Sequence, residues 1–252
     1  MKIVVIGGTG RIGAQVVEQL RERGHDAVPA APSTGVDTLT GAGVAEALAG
    51  ADTVVDVSNS PSFAPDDVLA FFTTSTRTLL AAEEAAGVRH HVVLSIVGAD
   101  RAPDSGYLRA KVAQEELVTA SPVPFTILRA TQFFEFLGAI ADGATQDGVV
   151  HATTGAIQPV AAQDVVAAVV DVTLAEPVGG IVEVAGPQRF RMDELLRAEL
   201  AAAGDPREVV SDPDARYFGT LLDATTIVPL GDGARIGATT LAAWKAAQAV
   251  AR

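Results

Sequence analysis

The sequence predicts an α/β fold built on a doubly wound parallel sheet. Short runs rich in Val and Ile alternate with helical patterns through the first half of the chain. These runs lack polar alternation, which is typical of strands buried on both faces. Alternation of strands and helices at this spacing favours right-handed crossovers within one sheet. The predicted strands are Lys2–Ile6, Ala27–Ala30, Thr53–Val57, His91–Val97 and Phe125–Leu128.

Amphipathic patterns between these runs predict helices, and a less regular second half follows. The predicted helices of the first half are Ile12–Arg23, Gly43–Ala49, Val68–Ala86 and Leu108–Ala120. The second half predicts helices at Gln163–Leu174, Met192–Ala203 and Thr239–Val250 and a strand at Gly180–Ala185. Asp164 is expected to cap its helix. Since no Pro/Gly/Ser-rich linker divides the chain, we expect one domain over residues 1–252, with a small C-terminal lobe whose substrate-facing segments lie at about 130–160 and 186–240.

Composition excludes several classes of protein. The chain has 252 residues, of which 48% are hydrophobic, so it can bury enough surface to offset its conformational entropy. Its net charge of −13 and the lack of a basic patch argue against nucleic-acid and membrane partners. Without cysteine there is no thiolate chemistry, and without an H-x-x-H or H-x-x-x-H pair we predict no metal site. We expect a cytoplasmic monomer or homodimer that acts on a small molecule.

The most specific motif is a glycine-rich loop between the first strand and the first helix. Gly7, Gly10 and Gly13 form G-x-x-G-x-x-G directly after Lys2–Ile6. Glycines at this spacing allow a tight turn, close approach of backbone amides to a pyrophosphate, and close packing of helix on strand. The alternative is a turn that serves packing alone. The loop predicts a Rossmann-type dinucleotide site, and the residues expected to contact the dinucleotide are Gly7, Thr9, Gly10, Arg11, Ile12 and Gly13.

The segment after the second strand bears on the choice between NAD and NADP. An acid that binds the ribose 2′-hydroxyl is expected about 20 residues beyond the glycines of an NAD site. Asp26 comes too early for this role and Asp37 comes past the turn. Ser33, Thr34 and Arg11 can instead contact a 2′-phosphate, which favours NADP over NAD. Arg11 can equally be a solvated helix residue.

Three residues have the chemistry of carbonyl reduction. Tyr107 and Lys111 are four residues apart and share a helical face, and Ser95 ends a strand where ligand crevices open. A free tyrosine has a pKa of about 10, and a nearby ammonium lowers it. Tyr107 can then exchange a proton with a carbonyl, while Ser95 holds the oxygen and Lys111 also binds ribose hydroxyls. The alternative is an ordinary amphipathic helix with Lys111 exposed.

Together these motifs resemble the short-chain dehydrogenase/reductase superfamily in its atypical, NmrA-like branch. The resemblance covers about residues 1–200. Two departures stand out, since Phe72 occupies the position where many relatives carry a relay Asn, and Ala130 stands where Pro is common. The matching segments are the glycine loop, the strand ending in Ser95, Tyr107-x-x-x-Lys111, Pro124–Arg129, Gln158–Val166 and Val184–Pro187.

The resemblance also implies further ligand contacts. It places the turn after the third strand near the adenosine and its ribose, so that Ser58 or Asn59 would contact the cofactor. It places the segment after the fifth strand beside the nicotinamide and substrate, where Gln132, Phe133 and Phe136 would bind a flat apolar or aromatic substrate. The alternatives are ordinary turn formation for Ser58 and Asn59 and core packing for the aromatic residues.

These observations lead to an NAD(P)-dependent oxidoreductase that acts on a small apolar or aromatic carbonyl or hydroxyl compound. One variant is a tailoring enzyme of secondary metabolism, such as aromatic polyketide biosynthesis, including oxygenation. The alternative from another class is a non-catalytic, dinucleotide-sensing regulator, which the loss of the relay Asn favours.

Overall fold

The computed structural model describes residues 1–250, and it gives the bounds of each strand and helix in that range. The strands are β1 (Lys2–Ile6), β2 (Asp26–Ala30), β3 (Thr53–Asp56), β4 (His90–Ile96), β5 (Phe125–Ala130), β6 (Thr145–Gln146), β7 (Val149–Ala152), β8 (Ala156–Ile157), β9 (Gly180–Ala185), β10 (Phe190–Arg191), β11 (Val209–Ser211), β12 (Arg216–Tyr217), β13 (Thr220–Leu221) and β14 (Arg235–Ile236). The helices are α1 (Arg11–Glu22), α2 (Val44–Leu48), α3 (Pro65–Ala86), α4 (Gly106–Ala120), α5 (Leu137–Gly143), α6 (Ala162–Leu174), α7 (Met192–Ala203) and α8 (Leu241–Val250).

A seven-stranded sheet organises the fold, in the order β2-β1-β3-β4-β5-β9-β14. β1 pairs in parallel with both β2 and β3, and β3 pairs in parallel with β4. The chain therefore reverses its direction of travel across the sheet between β1 and β3. Ligands of such sheets bind at the carboxyl ends of the strands beside this reversal. The predicted Rossmann-type α/β fold is confirmed.

Glycines end two of the helices, α3 and α7. α3 ends at Gly87, whose φ is +70° and whose N–H donates to the Glu84 carbonyl over 3.2 Å. α7 ends in the same way at Gly204, with φ +69°. A residue in this left-handed conformation satisfies the last carbonyls of a helix and stops it. The predicted ends of both helices, Ala86 and Ala203, therefore match the structure.

The chain divides into two compact units that are interleaved along the sequence. The first unit comprises Met1–Ser95, Arg109–Arg129 and Val166–Val182, and the second comprises Ile96–Leu108, Ala130–Val165 and Glu183–Arg252. The core of the first unit is aliphatic and is formed by Val4, Ile6, Ala30, Val36, Val44, Leu48, Ala51, Val54, Leu79, Val88 and Val123. Both segments that were expected to face the substrate fall within the second unit.

The second unit has its own core, in which Phe134 is the largest fully buried side chain. The Trp244 ring lies 5.7 Å from the Phe134 ring, and its Nε1–H donates to Glu135 over 3.0 Å. Trp244 therefore packs against this core. The prediction that Asp164 caps α6 is wrong, because its carboxylate accepts hydrogen bonds from the N–H and hydroxyl of Thr239 over 2.9 and 3.0 Å. Asp164 thus holds the chain just before α8.

Within residues 1–250, no helix combines the length and the apolar character needed to cross a membrane.

Candidate functional site

The glycine loop joins β1 to α1 in a backbone arrangement that only small residues allow. Gly7 has φ +76°, and its N–H donates to the Ala30 carbonyl over 2.9 Å. A Cβ atom built on Gly13 would lie 2.2 Å from the Gly7 carbonyl oxygen, well inside van der Waals contact. Helix and loop therefore touch through backbone atoms, which leaves the surface of the loop open to a ligand.

The N-terminus of α1 has the features of an anion site. Gly10 is its N-cap, no side chain caps the helix, and no acidic residue lies in its first turn. The first N–H groups of the helix and the positive end of its dipole are thus available to a pyrophosphate. Thr9, Gly10 and Arg11 are exposed at this end, whereas Gly13 is buried. The residues present therefore fit a bound dinucleotide.

The segment after β2 lies against this loop. The Ser33 hydroxyl donates to Thr9 Oγ1 over 3.4 Å. The Thr34 hydroxyl instead donates to the Ala31 carbonyl and accepts from the Ala31 N–H, both over 2.9 Å. The N–H of Leu39 donates to the carboxylate of Asp37, and this bond lowers the pKa of that carboxyl. Asp37 thus stabilises its own turn, and the Ser33 hydroxyl contacts the glycine loop at Thr9.

The end of β3 contributes a buried carboxylate, Asp56. Both the N–H and the hydroxyl of Ser58 donate to Asp56 Oδ1, over 2.9 and 2.6 Å. A Cβ atom on Gly7 would lie 2.9 Å from the Ser58 backbone nitrogen, so the turn after β3 packs directly on the glycine loop. Asn59 is exposed and its Oδ1 accepts from the Ser60 N–H over 3.0 Å. Cofactor contact by Ser58 and Asn59 remains a prediction.

Lys111 is only 3% exposed and points into the first unit. Its Nζ donates to the Leu94 carbonyl over 2.9 Å and to Gln114 Oε1. It also lies 4.3 Å from the centroid of the Phe72 ring, within the range of a cation–π interaction. Gln114 Nε2 donates in turn to Asp56 Oδ2 over 3.0 Å. A carbonyl, a carboxamide and an aromatic face thus surround the ammonium, and a buried chain of bonds connects it to β3.

Burial also changes the acidity of Lys111. Loss of solvation lowers the pKa of the ammonium to about 8, against the opposing effects of the nearby Asp56 and Glu115 carboxylates. His91 is buried as well, and burial lowers its pKa. The Glu83 carboxylate outweighs this effect, so that the pKa of His91 is raised. Lys111 can therefore change charge close to neutral pH, where an ordinary lysine stays fully protonated.

Ser95 belongs to a second buried network. Its hydroxyl donates to Glu115 Oε1 over 2.5 Å. The Arg129 guanidinium donates to both oxygens of the same carboxylate, over 2.9 and 2.6 Å. All three side chains are buried. In this arrangement the single proton of Ser95 is directed at Glu115, so the expected bond to a substrate oxygen would require that proton to turn away.

Tyr107 lies in the first turn of α4, one turn before Lys111, and its surroundings belong to the second unit. Its ring lies 5.8 Å from that of Phe218, which in turn lies 4.8 Å from Tyr217. Burial, together with the proximity of Tyr107, raises the pKa of Tyr217. Tyr217 therefore keeps its proton, whereas Tyr107 is half-buried at the edge of the cluster.

The segment after β5 contains polar atoms that lack a protein partner. Gln132 is 8% exposed, and neither its Oε1 nor the Thr131 hydroxyl has a hydrogen-bond partner within residues 1–250. The rings of Phe133 and Phe136 stack at 5.5 Å, and Phe136 is 44% exposed. Phe134 lies instead in the core. A buried amide oxygen without a partner is costly and is the kind of group that a ligand N–H would satisfy.

Sequence reasoning missed the residues around Lys111 and Ser95. Gln114 and Glu115 follow Lys111 by three and four positions, so with Tyr107 they form one polar stripe on α4. That stripe was visible in the sequence as polar residues at helical spacing. The roles of Asp56 and Arg129 gave no such signal, because their partners on α4 lie 58 and 14 residues away.

Comparisons with known proteins find relatives that are named as reductases. The chain is 32% identical over 166 residues to a (4-alkanoyl-5-oxo-2,5-dihydrofuran-3-yl)methyl phosphate reductase of Streptomyces griseus, covering 61% of this chain but only 55% of that protein. It is 29% identical to an NAD(P)H azoreductase of Xenophilus azovorans, over 83% of this chain and 76% of that one. The fold matches that of a short-chain dehydrogenase/reductase superfamily protein of Agrobacterium tumefaciens, solved with bound NAD, with TM-score 0.74 and 20% identity over 100% and 97% of the two chains.

A family model described as NAD(P)H-binding matches residues 7–177, from the first glycine of the loop to the segment after α6. This match covers more than half of the chain and includes the loop, α4 and β5. The resemblance to atypical short-chain dehydrogenases/reductases agrees with it, and an NmrA-like assignment is compatible with it. The chain belongs to the NAD(P)H-binding family.

Proposed function

We propose that the protein is an NAD(P)H-dependent reductase of small apolar or aromatic carbonyl compounds. The observation that carries the proposal is the placement of Tyr107 and Lys111 one turn apart on α4, in a chain whose glycine loop fits a dinucleotide. Two relatives named as reductases support it.

The glycine loop and the start of α1 would hold a reduced dinucleotide, which when bound would supply the hydride that carbonyl reduction needs. Tyr107 donates the proton that the carbonyl oxygen needs. The charge on Lys111 favours the resulting phenolate, and it acts from the interior because its N–H groups bond to Leu94 and Gln114. Asp56 fixes Gln114 and so positions Lys111.

Ser95 is assigned to the substrate oxygen as a secondary partner. Its hydroxyl donates to Glu115 over 2.5 Å, and Arg129 neutralises that carboxylate. Ser95 can hold a substrate oxygen only when its proton turns from Glu115, so Tyr107 is the principal donor. Gln132, with its Oε1 lacking a partner in residues 1–250, is assigned to a ligand amide or hydroxyl, and the stacked Phe133 and Phe136 to the apolar body of the substrate.

NADPH is the favoured cofactor in this proposal. No acid directly follows β2, and the exposed Ser33 lies against Thr9 of the glycine loop. Arg11, at the start of α1, supplies positive charge for a 2′-phosphate. Calorimetric titration with NADPH and NADH measures the preference, and tighter binding of NADH would contradict it.

Replacing Tyr107 by Phe tests the function directly. The variant should lose carbonyl reduction by about 10²–10⁴-fold, the range for a general acid, while its affinity for NADPH stays within a few-fold. Tyr217→Phe is the matched control, because it removes the other phenol of the same aromatic cluster, whose pKa is raised, and should keep turnover. Equal turnover in wild type and Tyr107→Phe would eliminate Tyr107 as the acid.

A second candidate function is a dinucleotide-sensing regulator without turnover. Phe72 favours it, since this ring covers the Lys111 ammonium where a relay residue was expected. A regulator would bind NADPH but leave its absorbance unchanged across a panel of aldehydes, ketones and quinones. Steady oxidation of NADPH by any member of that panel would remove this candidate.

A finer form of the reductase proposal is a tailoring enzyme of aromatic polyketides, including oxygenation. The exposed Phe136 stacked on Phe133 supports a flat aromatic substrate. An oxygenating enzyme would consume dissolved oxygen when it is supplied with a polycyclic hydroquinone, whereas a plain reductase would consume NADPH only with the corresponding quinone and would not raise the oxygen uptake of the hydroquinone. An oxygen electrode therefore separates the two reactions.

A further inference from the structure

Two hairpins of the second unit have the same backbone turn but different residues at its first position. β6 and β7 are joined by Asp147-Gly148, with φ +49° and +81°. β12 and β13 are joined by Phe218-Gly219, with φ +46° and +87°. Positive φ at both central residues is the pattern of a type I′ turn, which strongly prefers Asn-Gly or Asp-Gly.

Phe218 is therefore an unfavourable choice for its position. Asp and Asn tolerate the left-handed conformation, whereas a bulky aromatic residue there is strained. In residues 1–250, Asp147 and Phe218 are the two residues other than glycine with positive φ, and only Phe218 is bulky. Burial does not account for it either, since 45% of the Phe218 surface is exposed to solvent.

The surroundings of Phe218 suggest what the strained position provides. Its ring lies beside Tyr107 at 5.8 Å and 31°, and its edge packs on Tyr217. The hairpin is also held close to the start of α4, because the Arg216 guanidinium donates to the Gly219 carbonyl over 3.0 Å and to Asp104 over 3.4 Å. Phe218, which is 45% exposed, thus has its ring beside that of Tyr107.

We propose that Phe218 is the aromatic wall of the substrate site and selects planar aromatic compounds, whose rings stack on it while their oxygen meets Tyr107. This inference rests on the proposed function, in which Tyr107 is the proton donor. Stacking of aromatic rings at 4.5–7 Å adds affinity beyond area burial alone, so the strained turn would serve ligand binding rather than stability.

The test uses 2-naphthol as a planar probe, with its fluorescence followed during titration of the intact protein saturated with NADP⁺. Phe218→Asn should weaken binding of 2-naphthol by about 5–20-fold, the loss of one aromatic contact, while the melting temperature stays equal or rises because the turn is relieved of strain. Phe218→Tyr keeps the ring and should bind within twofold of wild type. Asp147→Asn introduces the same residue at the same position of the other hairpin and should leave binding unchanged.

The outcomes separate this inference from the proposed function. Binding by Phe218→Asn within twofold of wild type, or no binding by wild type, overturns the role of Phe218. A loss of affinity in Phe218→Asn that Phe218→Tyr does not restore also overturns it, because the effect would then be structural. Tyr107→Phe should keep 2-naphthol affinity within about threefold while losing turnover. If Tyr107→Phe keeps turnover, the proposed acid fails while the result for Phe218 stands.

Discussion

Burial of the Lys111 ammonium should make the unfolding free energy depend on pH by a calculable amount. Its pKa falls from 10.5 to about 8 in the folded protein, chiefly through burial. At 1.36 kcal/mol per pKa unit, keeping the cation in the interior costs about 3 kcal/mol below pH 8. Between pH 8 and 10.5 the unfolded chain binds the proton and the folded protein does not, so the stability contributed by this residue rises by about that amount as pH increases.

Lys111→Met removes this effect, because Met fills similar space without a titrating group. Breaking the bonds to Leu94 and Gln114 lowers stability by an amount that does not depend on pH. The difference in unfolding free energy between wild type and Lys111→Met should therefore grow by about 3 kcal/mol in favour of wild type from pH 8 to 10.5. Urea unfolding at several pH values measures it, with Lys2→Met as control, since the Lys2 ammonium bonds at the exposed surface.

A difference that stays flat from pH 7 to 10.5 would refute the reasoning. It would mean that Lys111 titrates at the same pH in the folded and unfolded states, and therefore that its ammonium reaches water. The contact with Phe72 at 4.3 Å and the bond to Gln114 could then not represent its resting position. The proposal that Lys111 acts on Tyr107 from the interior would fail with them.

Three further predictions follow from buried geometry. Gly13→Ala should abolish measurable NADPH binding in calorimetry, because its Cβ would lie 2.2 Å from the Gly7 carbonyl oxygen. Near-normal affinity would contradict dinucleotide binding by the glycine loop. Glu115→Gln should lower the unfolding free energy in urea by about 3 kcal/mol or more, because it leaves the buried Arg129 cation without its counter-charge, and a loss below about 1 kcal/mol would argue against a buried pair. Burial alone would lower the pKa of His91, but Glu83 raises it, so the pair stabilises the protein fully below pH 6.5 and loses this contribution as pH rises through the folded pKa. Glu83→Gln should remove this loss from the melting profile above pH 6.5, and an unchanged profile would exclude the pair as its cause.

The sheet was predictable because its strands carry their own signal. Lys2–Ile6 and Gly180–Ala185 were predicted to the residue, since apolar β-branched runs between glycine-rich turns have few other solutions. The short strands of the second unit were not predicted. Arg216–Tyr217 and Thr220–Leu221 have two residues each, and the antiparallel pairing between them rather than local propensity makes them strands.

The sequence predicted which residues belong to the site but not the hydrogen-bond partners of their side chains. The glycine loop and the Tyr107/Lys111 spacing are local patterns, so the sequence revealed them. The sequence could not show that the Lys111 ammonium turns inward, because its partners are the Leu94 carbonyl and the Phe72 ring on other elements. Such contacts depend on which elements pack together, and spacing along one helix does not specify this.

The hydrogen bonds of the site residues rank the three predicted catalytic side chains by their expected contribution to turnover. Ser95 donates its proton to Glu115, which Arg129 also holds. Lys111 donates to the Leu94 carbonyl and to Gln114, whereas the half-buried Tyr107 ring lies beside Phe218. Ser95→Ala should therefore reduce the turnover number by less than about 10-fold, because the Arg129–Glu115 pair persists without it, whereas Tyr107→Phe should reduce it by about 10²–10⁴-fold.

Parallel measurement of the two variants, with NADPH affinity as the check on folding, decides the question. If Ser95→Ala is as damaged as Tyr107→Phe while both still bind NADPH, then the hydroxyl of Ser95 does turn from Glu115 during the reaction. The buried network would in that case be a resting arrangement that the substrate opens, and Glu115 would become a partner in the proton's path. A mild effect in Ser95→Ala leaves Tyr107 as the principal source of the proton.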